Sequence, residues 1–218
     1  MPHTPRVLQL YRDAPVAVRV HTALRWLTCP FAPVQASVPD VGDVLEVGCG
    51  HGLLSLSLAL ASSRRRVIGV DIDGAKVQAA TAAAASLAPG EADVGFTVVE
   101  SGWLPAATVD AVVIADVLYL LPVEEQHRLL SACAACIGDG GVVVVKEVAE
   151  KPRWKFQWNR LQETVSTRVL GITAGDGSLH FVAPSTMAGW LEDEGLRTES
   201  RALDRGYPWP HHLLVGRR

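Results

Sequence analysis

The chain has 218 residues, of which 49% are hydrophobic and 20% are charged. This length and composition fit one globular domain with a substantial buried core. The formal net charge is −3 and the isoelectric point is about 6.2, so the chain as a whole has no positive field that would attract nucleic acid or an anionic membrane.

The sequence predicts neither a membrane span nor a signal peptide. No stretch approaches the ~18 consecutive apolar residues of a membrane span, and residues 1–13 lack the apolar core of a signal peptide. We therefore expect a cytoplasmic protein. The four cysteines fit a reducing compartment. Cys133 and Cys136 form a C-x-x-C pattern on a predicted helix without a second pair, which favours buried packing residues over a metal or redox site.

The first 40 residues predict a helical extension. Residues 15–28 carry apolar side chains at near-helical spacing, and residues 29–39 contain three prolines that predict an irregular connector. The basic run at 64–66 precedes a strand, and we expect it to be a solvated loop.

From residue 43 onward, apolar runs alternate with helical patterns. The predicted strands are 43–48, 66–71, 94–99, 109–115 and 141–147, and the predicted helices are 52–62, 74–87, 123–137 and 187–195. Continuous apolar strands separated by helices are typical of a parallel sheet with helices on both faces. Two last strands are expected at 195–203 and 211–218.

Residues 44–52 read VLEVGCGHG, a strand followed by an acid and three glycines. Glycine permits a sharp turn close to a ligand, and the helix that follows directs free N–H groups towards it. The spacing differs from both the phosphate loop and the dinucleotide fingerprint G-x-G-x-x-G. Glu46 disfavours a pyrophosphate and suits a ligand that carries an ammonium or sulfonium charge.

Asp71 closes the next apolar run, 21 positions after Gly50. In a β-α-β unit, this places a carboxylate at the end of the neighbouring strand, where it can accept both hydroxyls of a ribose. The glycine loop and this acid together predict a nucleotide-like ligand.

These motifs resemble those of the class I S-adenosylmethionine-dependent methyltransferases, over about residues 44–146. The resemblance implies a Rossmann-like α/β fold, with a seven-stranded, mostly parallel sheet, helices on both faces and one antiparallel strand near the C-terminus. It also implies S-adenosyl-L-methionine as cofactor, with the glycines along its methionine part, Asp71 on the ribose, Ile72 against the adenine and Glu100 on the adenine amino group. The expected cofactor-binding residues are Glu46, Gly48, Cys49, Gly50, Gly52, Asp71, Ile72, Glu100, Ser101, Gly102, Trp103 and Asp116.

Two side chains are candidates for catalysis. Asp116 follows the fourth strand directly, and either faces the cofactor or acceptor, or bonds local backbone. His180 is either a general base above the site or an ordinary surface histidine. Methyltransferases of the catechol type hold magnesium with an aspartate after the fourth strand and an Asp-Asn pair after the fifth. Here Lys146 and Glu147 replace that pair. A lysine among the ligands would repel the magnesium ion, so we predict no metal.

Residues 149–184 interrupt the alternation with an aromatic and basic insertion, which includes Trp154, Phe156, Trp158 and Phe181. Ligands of open parallel sheets bind outside the carboxyl ends of the strands, where this insertion emerges. It is either a lid over an apolar substrate or an element that packs onto the domain or shields a dimer interface.

The sequence therefore predicts one methyltransferase domain over 1–218, which methylates an oxygen of an apolar or aromatic small molecule and has no nucleic-acid partner. The sequence ADVLYLLP after the fourth strand lacks the Asn/Asp-Pro-Pro-Tyr/Phe motif of amide and base methyltransferases. Methylation of nitrogen, carbon or a protein remains open. So do two functions of a different class, an NAD-dependent oxidoreductase, which the glycine spacing disfavours, and a cofactor-binding module without activity. The acceptor and the oligomeric state are not specified.

Overall fold

The computed structural model describes residues 4–148, 179–203 and 206–218. Its helices are α1 (Arg6–Gln9), α2 (Val16–Thr28), α3 (Phe31–Gln35), α4 (Leu53–Ala61), α5 (Gly74–Ala84), α6 (Val123–Cys136) and α7 (Pro184–Asp193). Its strands are β1 (Gly42–Val47), β2 (Arg65–Asp71), β3 (Asp93–Val98), β4 (Val109–Ala115), β5 (Ile137–Val148), β6 (Arg197–Ala202) and β7 (His211–Arg217). A 3₁₀ turn covers Leu118–Leu120.

The strands of the described residues form one seven-stranded sheet in the order β3-β2-β1-β4-β5-β7-β6. Strands β1 to β5 are parallel, and β7 runs antiparallel to both of its neighbours, β5 and β6. The predicted mostly parallel sheet with one antiparallel strand is therefore confirmed. Because the strand order reverses between β1 and β4, the connections that follow these two strands diverge and leave a crevice at the carboxyl ends.

Helices cover both faces of the sheet, as the continuous apolar strands predict. Along β5, Val142 and Val144 belong to the core that α1, α3 and α4 cover. Val143 and Val145 belong to the core that α6 and α7 cover. Successive side chains of a strand point to opposite faces, so a strand that is buried on both sides needs an unbroken apolar run.

The N-terminal extension is more regular than its prolines predict. The predicted helix at 15–28 is confirmed as α2, but the connector that follows contains the short helix α3. Phe31 and Val34 are buried in the core and hold this turn against the sheet. Sequence patterns could not predict it, because a five-residue helix depends on such tertiary contacts and not on its own propensity.

The side chain of Arg65 forms hydrogen bonds to the same connector. The expectation of a solvated loop at 64–66 is wrong at this residue, whose side chain is only 2% exposed. Its guanidinium donates to the carbonyl oxygens of Pro39 (2.7 Å), Val38 (2.8 Å) and Leu58 (3.0 Å). Five fixed donors can satisfy several carbonyls that would otherwise be buried without partners, so this arginine joins the connector, α4 and β2.

The cysteines are all buried and reduced. Cys133 and Cys136 lie on α6, with the Cys136 Sγ 3.3 Å from the Cys133 carbonyl oxygen, so the expected packing role is confirmed. Within the described ranges, no cluster of three or more histidine, cysteine or acidic side chains could hold a metal ion. In the same ranges, no helix has both the length and the apolar character needed to cross a membrane.

Replacing Arg65 with methionine should lower the free energy of unfolding by about 2–4 kcal/mol. The substitution leaves several buried carbonyl oxygens without donors, and each such loss costs about 1–3 kcal/mol. Chemical denaturation followed by circular dichroism measures this change.

Arg64→Met provides the matched control, because Arg64 lies next in sequence and is exposed. We expect it to change stability by less than about 0.5 kcal/mol. Equal stability of the two variants would contradict the structural role of the buried guanidinium.

Candidate active site

A cavity of about 370 Å³ opens at the carboxyl ends of β1, β2, β3 and β4, and α2 forms part of its wall. The predicted cofactor-binding residues in this wall are Glu46, Gly48, Cys49, Gly50, Asp71, Ile72, Glu100, Ser101, Gly102, Trp103 and Asp116. The structure thus brings eleven of the twelve together. Gly52 and His180 do not line the cavity.

The glycine loop turns tightly between β1 and α4. The backbone N–H groups of Gly48 and Cys49 both donate to the Val70 carbonyl oxygen, at 2.8 and 3.0 Å. Gly48 has a φ of +74°, and a Cβ atom there would lie 2.3 Å from a methyl carbon of Val117. Only glycine satisfies both the backbone conformation and this close approach.

Gly52 performs a packing role that its place in the motif does not reveal. It precedes α4 in the left-handed region, with a φ of +77°. A Cβ atom at this position would lie 2.7 Å from the Ala80 Cβ and 2.6 Å from the Phe96 ring. The third glycine therefore allows α4 to approach α5 and β3 closely, away from the cavity.

Asp71 joins the glycine loop to the end of β2. One carboxylate oxygen accepts from the Gly50 N–H at 2.7 Å, and the other accepts from the Asp73 N–H at 2.9 Å. Each oxygen can accept a second hydrogen bond, since a carboxylate offers about four acceptor sites. The side chain is thus held in place by the backbone while it still faces the cavity.

Glu46 is a buried carboxyl group in the cavity wall. Its side chain accepts a hydrogen bond from the Ser55 hydroxyl, and the residue is only 3% exposed. Burial raises the pKa of Glu46 to about 8, although the Ser55 hydrogen bond and the positive charge of Arg25 oppose this rise. A positively charged ligand group beside Glu46 would favour its ionised form.

The N-terminal extension covers the glycine loop. The hydroxyl of the buried Tyr11 donates to the His51 carbonyl oxygen at 2.7 Å. On α2, the His21 ring faces the His51 ring with centroids 4.8 Å apart, and both histidines line the cavity. Burial lowers the pKa of His21 to about 4, with a further contribution from His51. The sequence pattern predicts α2 but not this contribution to the site.

Asp116 is held between two cations. Lys146 Nζ lies 2.6 Å from each carboxylate oxygen, and Arg25 Nη1 lies 2.6 Å from Oδ2. Asp116 has a φ of +60°, the single positive value among the described residues other than glycine. Burial favours protonation, but Lys146 and Arg25 outweigh it and hold the pKa of Asp116 below its usual range. An ionised, doubly paired carboxylate is poorly suited to act as a general base.

Glu147 fixes the turn that follows Asp116. One of its oxygens accepts the N–H groups of Val117 (2.9 Å) and Leu118 (2.8 Å). Burial and the negative charge of Asp116 raise the pKa of Glu147 to about 8. Within the described residues its other oxygen is buried without a hydrogen-bond partner, which agrees with a carboxyl group that is uncharged at neutral pH.

The end of the predicted insertion returns to the rim of the cavity. The His180 N–H donates to the Tyr119 carbonyl oxygen at 2.8 Å, and the buried Gln126 side chain donates to the His180 carbonyl oxygen at 2.7 Å. The rings of Tyr119 and Phe181 stack with centroids 5.4 Å apart. Residues 149–178, including Trp154, Phe156 and Trp158, lie outside the described residues, so the lid remains a prediction.

The raised pKa of Glu46 leads to a pH dependence of stability. Between the ordinary value of 4.5 and the folded value of about 8, the folded state holds more protons than the unfolded state. The free energy of unfolding therefore falls as the pH rises through this range. Glu147 acts with the same sign. The lowered pKa values of His21 and His211 make the free energy of unfolding rise with pH, but only below pH 6.5.

Glu46→Gln should therefore flatten the pH profile between about pH 6.5 and 8, by on the order of 1 kcal/mol. Denaturant titrations of the ligand-free protein across this range measure the effect. Glu194→Gln is the matched control because Glu194 is exposed, and we expect it to leave the profile unchanged. Parallel profiles for wild type and Glu46→Gln would show that Glu46 does not titrate in this window.

Comparison with known proteins agrees with this geometry. A family model described as a methyltransferase domain matches residues 44–141. The matched range begins in β1 and ends in β5, so it contains the glycine loop, Asp71 and Asp116.

Two curated relatives match a larger share of the chain than the family model does. A ubiquinone biosynthesis O-methyltransferase from Colwellia psychrerythraea is 24% identical over 166 residues, which cover 71% of this chain and 61% of that protein. A ribosomal RNA small subunit methyltransferase A from Leifsonia xyli is 29% identical over 190 residues, which cover 84% of this chain and 59% of that protein. The chain therefore spans about three fifths of the length of each.

Solved structures share the fold. The magnesium protoporphyrin IX methyltransferase from Synechocystis, solved with bound SAH, matches with a TM-score of 0.65 and 24% identity, over 96% of this chain and 91% of that chain. The sheet order, the glycine loop and the matched family model agree with one another, and the cofactor of the family is S-adenosyl-L-methionine. The chain thus contains a methyltransferase domain over residues 44–141 and shares the fold of S-adenosylmethionine-dependent methyltransferases.

Proposed function

We propose that the protein is an enzyme that transfers the methyl group of S-adenosylmethionine to an oxygen of an apolar or aromatic small molecule. The observation that carries the proposal is the single cavity wall that joins the braced Asp71 and Glu46 to the aromatic rim at Tyr119. One part of this wall suits a charged nucleoside, and the other suits an apolar ring. A cytoplasmic location belongs to the same proposal, because S-adenosylmethionine is supplied there.

The residues present fit this cofactor. Asp71 presents two carboxylate oxygens with remaining acceptor capacity, which suit the two hydroxyls of a ribose. Glu46 is a buried carboxyl group without a bonded cation among the described residues, which suits an amino or sulfonium group. Ile72 is 49% exposed although it is apolar, and an adenine ring placed against it would remove this surface from water.

When bound, S-adenosylmethionine supplies a methyl group on a positively charged sulfur, so that little covalent chemistry is left to the protein. The contribution of this chain is alignment and exclusion of water. Asp71 and the glycine loop would fix the cofactor, while Tyr119 would hold an apolar acceptor. Correct alignment of two reactants lowers a barrier by as much as about 7–11 kcal/mol.

The choice of oxygen rests on two supports. The sequence after β4 lacks the motif of amide and base methyltransferases, and one relative is named as an O-methyltransferase. An RNA acceptor is the second candidate, because another relative is named as a ribosomal RNA methyltransferase. The net charge of −3 weighs against it, since RNA binding relies on positive charge.

Methyl-labelled S-adenosylmethionine tests the activity directly. In separate reactions, the protein is incubated with the labelled cofactor and one acceptor, which is a phenol, an aromatic carboxylate or total RNA. Label on a small-molecule oxygen supports the proposal, and label on RNA alone would overturn the acceptor class. Calorimetric titration with S-adenosylhomocysteine (SAH) and with NAD excludes the oxidoreductase if only the first binds.

Asp71→Ala should weaken the binding of SAH by at least ~1.5 kcal/mol, about tenfold or more. The reason is the loss of charge-assisted hydrogen bonds to the ribose hydroxyls. Isothermal titration calorimetry measures this change, with Asp13→Ala, at an exposed position, as the control.

A 2′,3′-dideoxyribose analogue of SAH separates the ribose contact from the role of Asp71 in the glycine loop. The analogue should bind wild type weakly and lose little further affinity in Asp71→Ala, because the hydroxyl partners are already absent. Equal losses for SAH and for the analogue would mean that Asp71 acts only through the loop.

A further inference from the structure

Arg25 presents an incompletely used guanidinium to the cavity. Its Nη1 bonds Asp116 Oδ2 at 2.6 Å, and its side chain remains 33% exposed. Within the described ranges, Nε and Nη2 have no hydrogen-bond partner. A guanidinium offers five N–H donors in a planar arrangement that matches a carboxylate. The side chain is therefore fixed at one nitrogen and has further donors available for a ligand.

The charges around Asp116 do not cancel. Arg25 and Lys146 bring two positive charges, and Asp116 brings one negative charge. Glu147, whose pKa is raised by burial, and His211, whose pKa burial and Lys146 lower, add little net charge near pH 7. This corner of the cavity wall thus retains about one positive charge, which favours an anion.

The position of Arg25 separates this corner from the nucleoside end of the cavity. Asp71 ends β2, whereas Asp116 follows β4, and β1 with its glycine loop lies between these two strands. A ligand with its ribose at Asp71 and its methionine part along the loop would leave the β4 side for the methyl acceptor. Tyr119, on the cavity rim, follows the same strand.

Resting on the proposed function, we propose that Arg25 binds an anionic oxygen of the methyl acceptor, so that the substrate is a carboxylate or an ionised phenol. Asp116 positions the guanidinium, and Lys146 positions Asp116. Both are positioning residues rather than proton acceptors.

An anionic acceptor removes the need for a general base. A lone pair of the acceptor oxygen forms the new O–C bond, while the C–S bond breaks and its electron pair returns to sulfur. The negative oxygen and the positive sulfur both become neutral, and no proton moves. A reaction without a general base agrees with this cavity, because the Asp116 carboxylate is already bonded to Lys146 and Arg25.

The test uses the protein saturated with SAH, which fills the cofactor site without reacting. Benzoate and its neutral analogue benzamide are titrated by calorimetry, followed by the longer pair cinnamate and cinnamamide. We expect wild type to bind each carboxylate about tenfold more tightly than its amide, and Arg25→Gln to reduce this preference to about twofold or less. Arg19→Gln, on the exposed side of the same helix, should keep the full preference.

Arg25→Lys is a second, more conservative variant, which keeps the proposal testable where Arg25→Gln does not fold. A lysine can retain a charge near Asp116 but cannot make the planar two-point contact, so we expect an intermediate preference for the carboxylates. The affinity for SAH should change by less than about threefold in both Arg25 variants.

Three results would overturn the proposal. They are amides that bind wild type as tightly as the carboxylates, carboxylates that fail to bind at all, and an Arg25→Gln variant that loses SAH affinity while it keeps the preference for carboxylates. The last result would assign Arg25 to the carboxylate of the cofactor. Failure of wild type to bind SAH would instead contradict the proposed function, so the two failures are distinguishable.

Discussion

The reversal of strand order between β1 and β4 is the constraint on which the rest of the site depends. Both strands are parallel and adjacent, but the chain leaves them in opposite directions across the sheet. Each strand must therefore end in a sharp turn. At β1 the turn is a glycine loop, and at β4 it is Asp116 with a positive φ. The crevice between these turns is the cavity that Asp71 and Asp116 line.

Acidic side chains hold both turns in place. Asp71 accepts the Gly50 N–H and so joins the glycine loop to β2, while Glu147 accepts two N–H groups beyond Asp116. Asp116 itself is ionised because two cations are bonded to it, whereas the buried Glu46 and Glu147 have raised pKa values. A buried carboxyl group ionises only where a partner compensates the loss of water.

Much of this architecture could be predicted from the sequence, because it follows from short-range patterns. Apolar runs, the glycine spacing and the position of Asp71 identify the strands and the cavity wall. The interactions that define the acceptor corner could not be predicted in this way. Arg25 and Asp116 are 91 positions apart, and Lys146 lies a further 30 positions along the chain. The motif also assigned Gly52 to the cofactor, although Ala80 and Phe96 occupy the space beside it.

A crystal structure of the complex with SAH tests this account most directly. We expect the ribose hydroxyls within hydrogen-bonding distance of Asp71, the adenine against Ile72 and the sulfur directed towards the corner formed by Arg25 and Asp116. Such a complex would place the departing methyl group beside the proposed anion site. A ribose bound elsewhere, or a sulfur directed away from Asp116, would contradict the assignment of the two ends of the cavity.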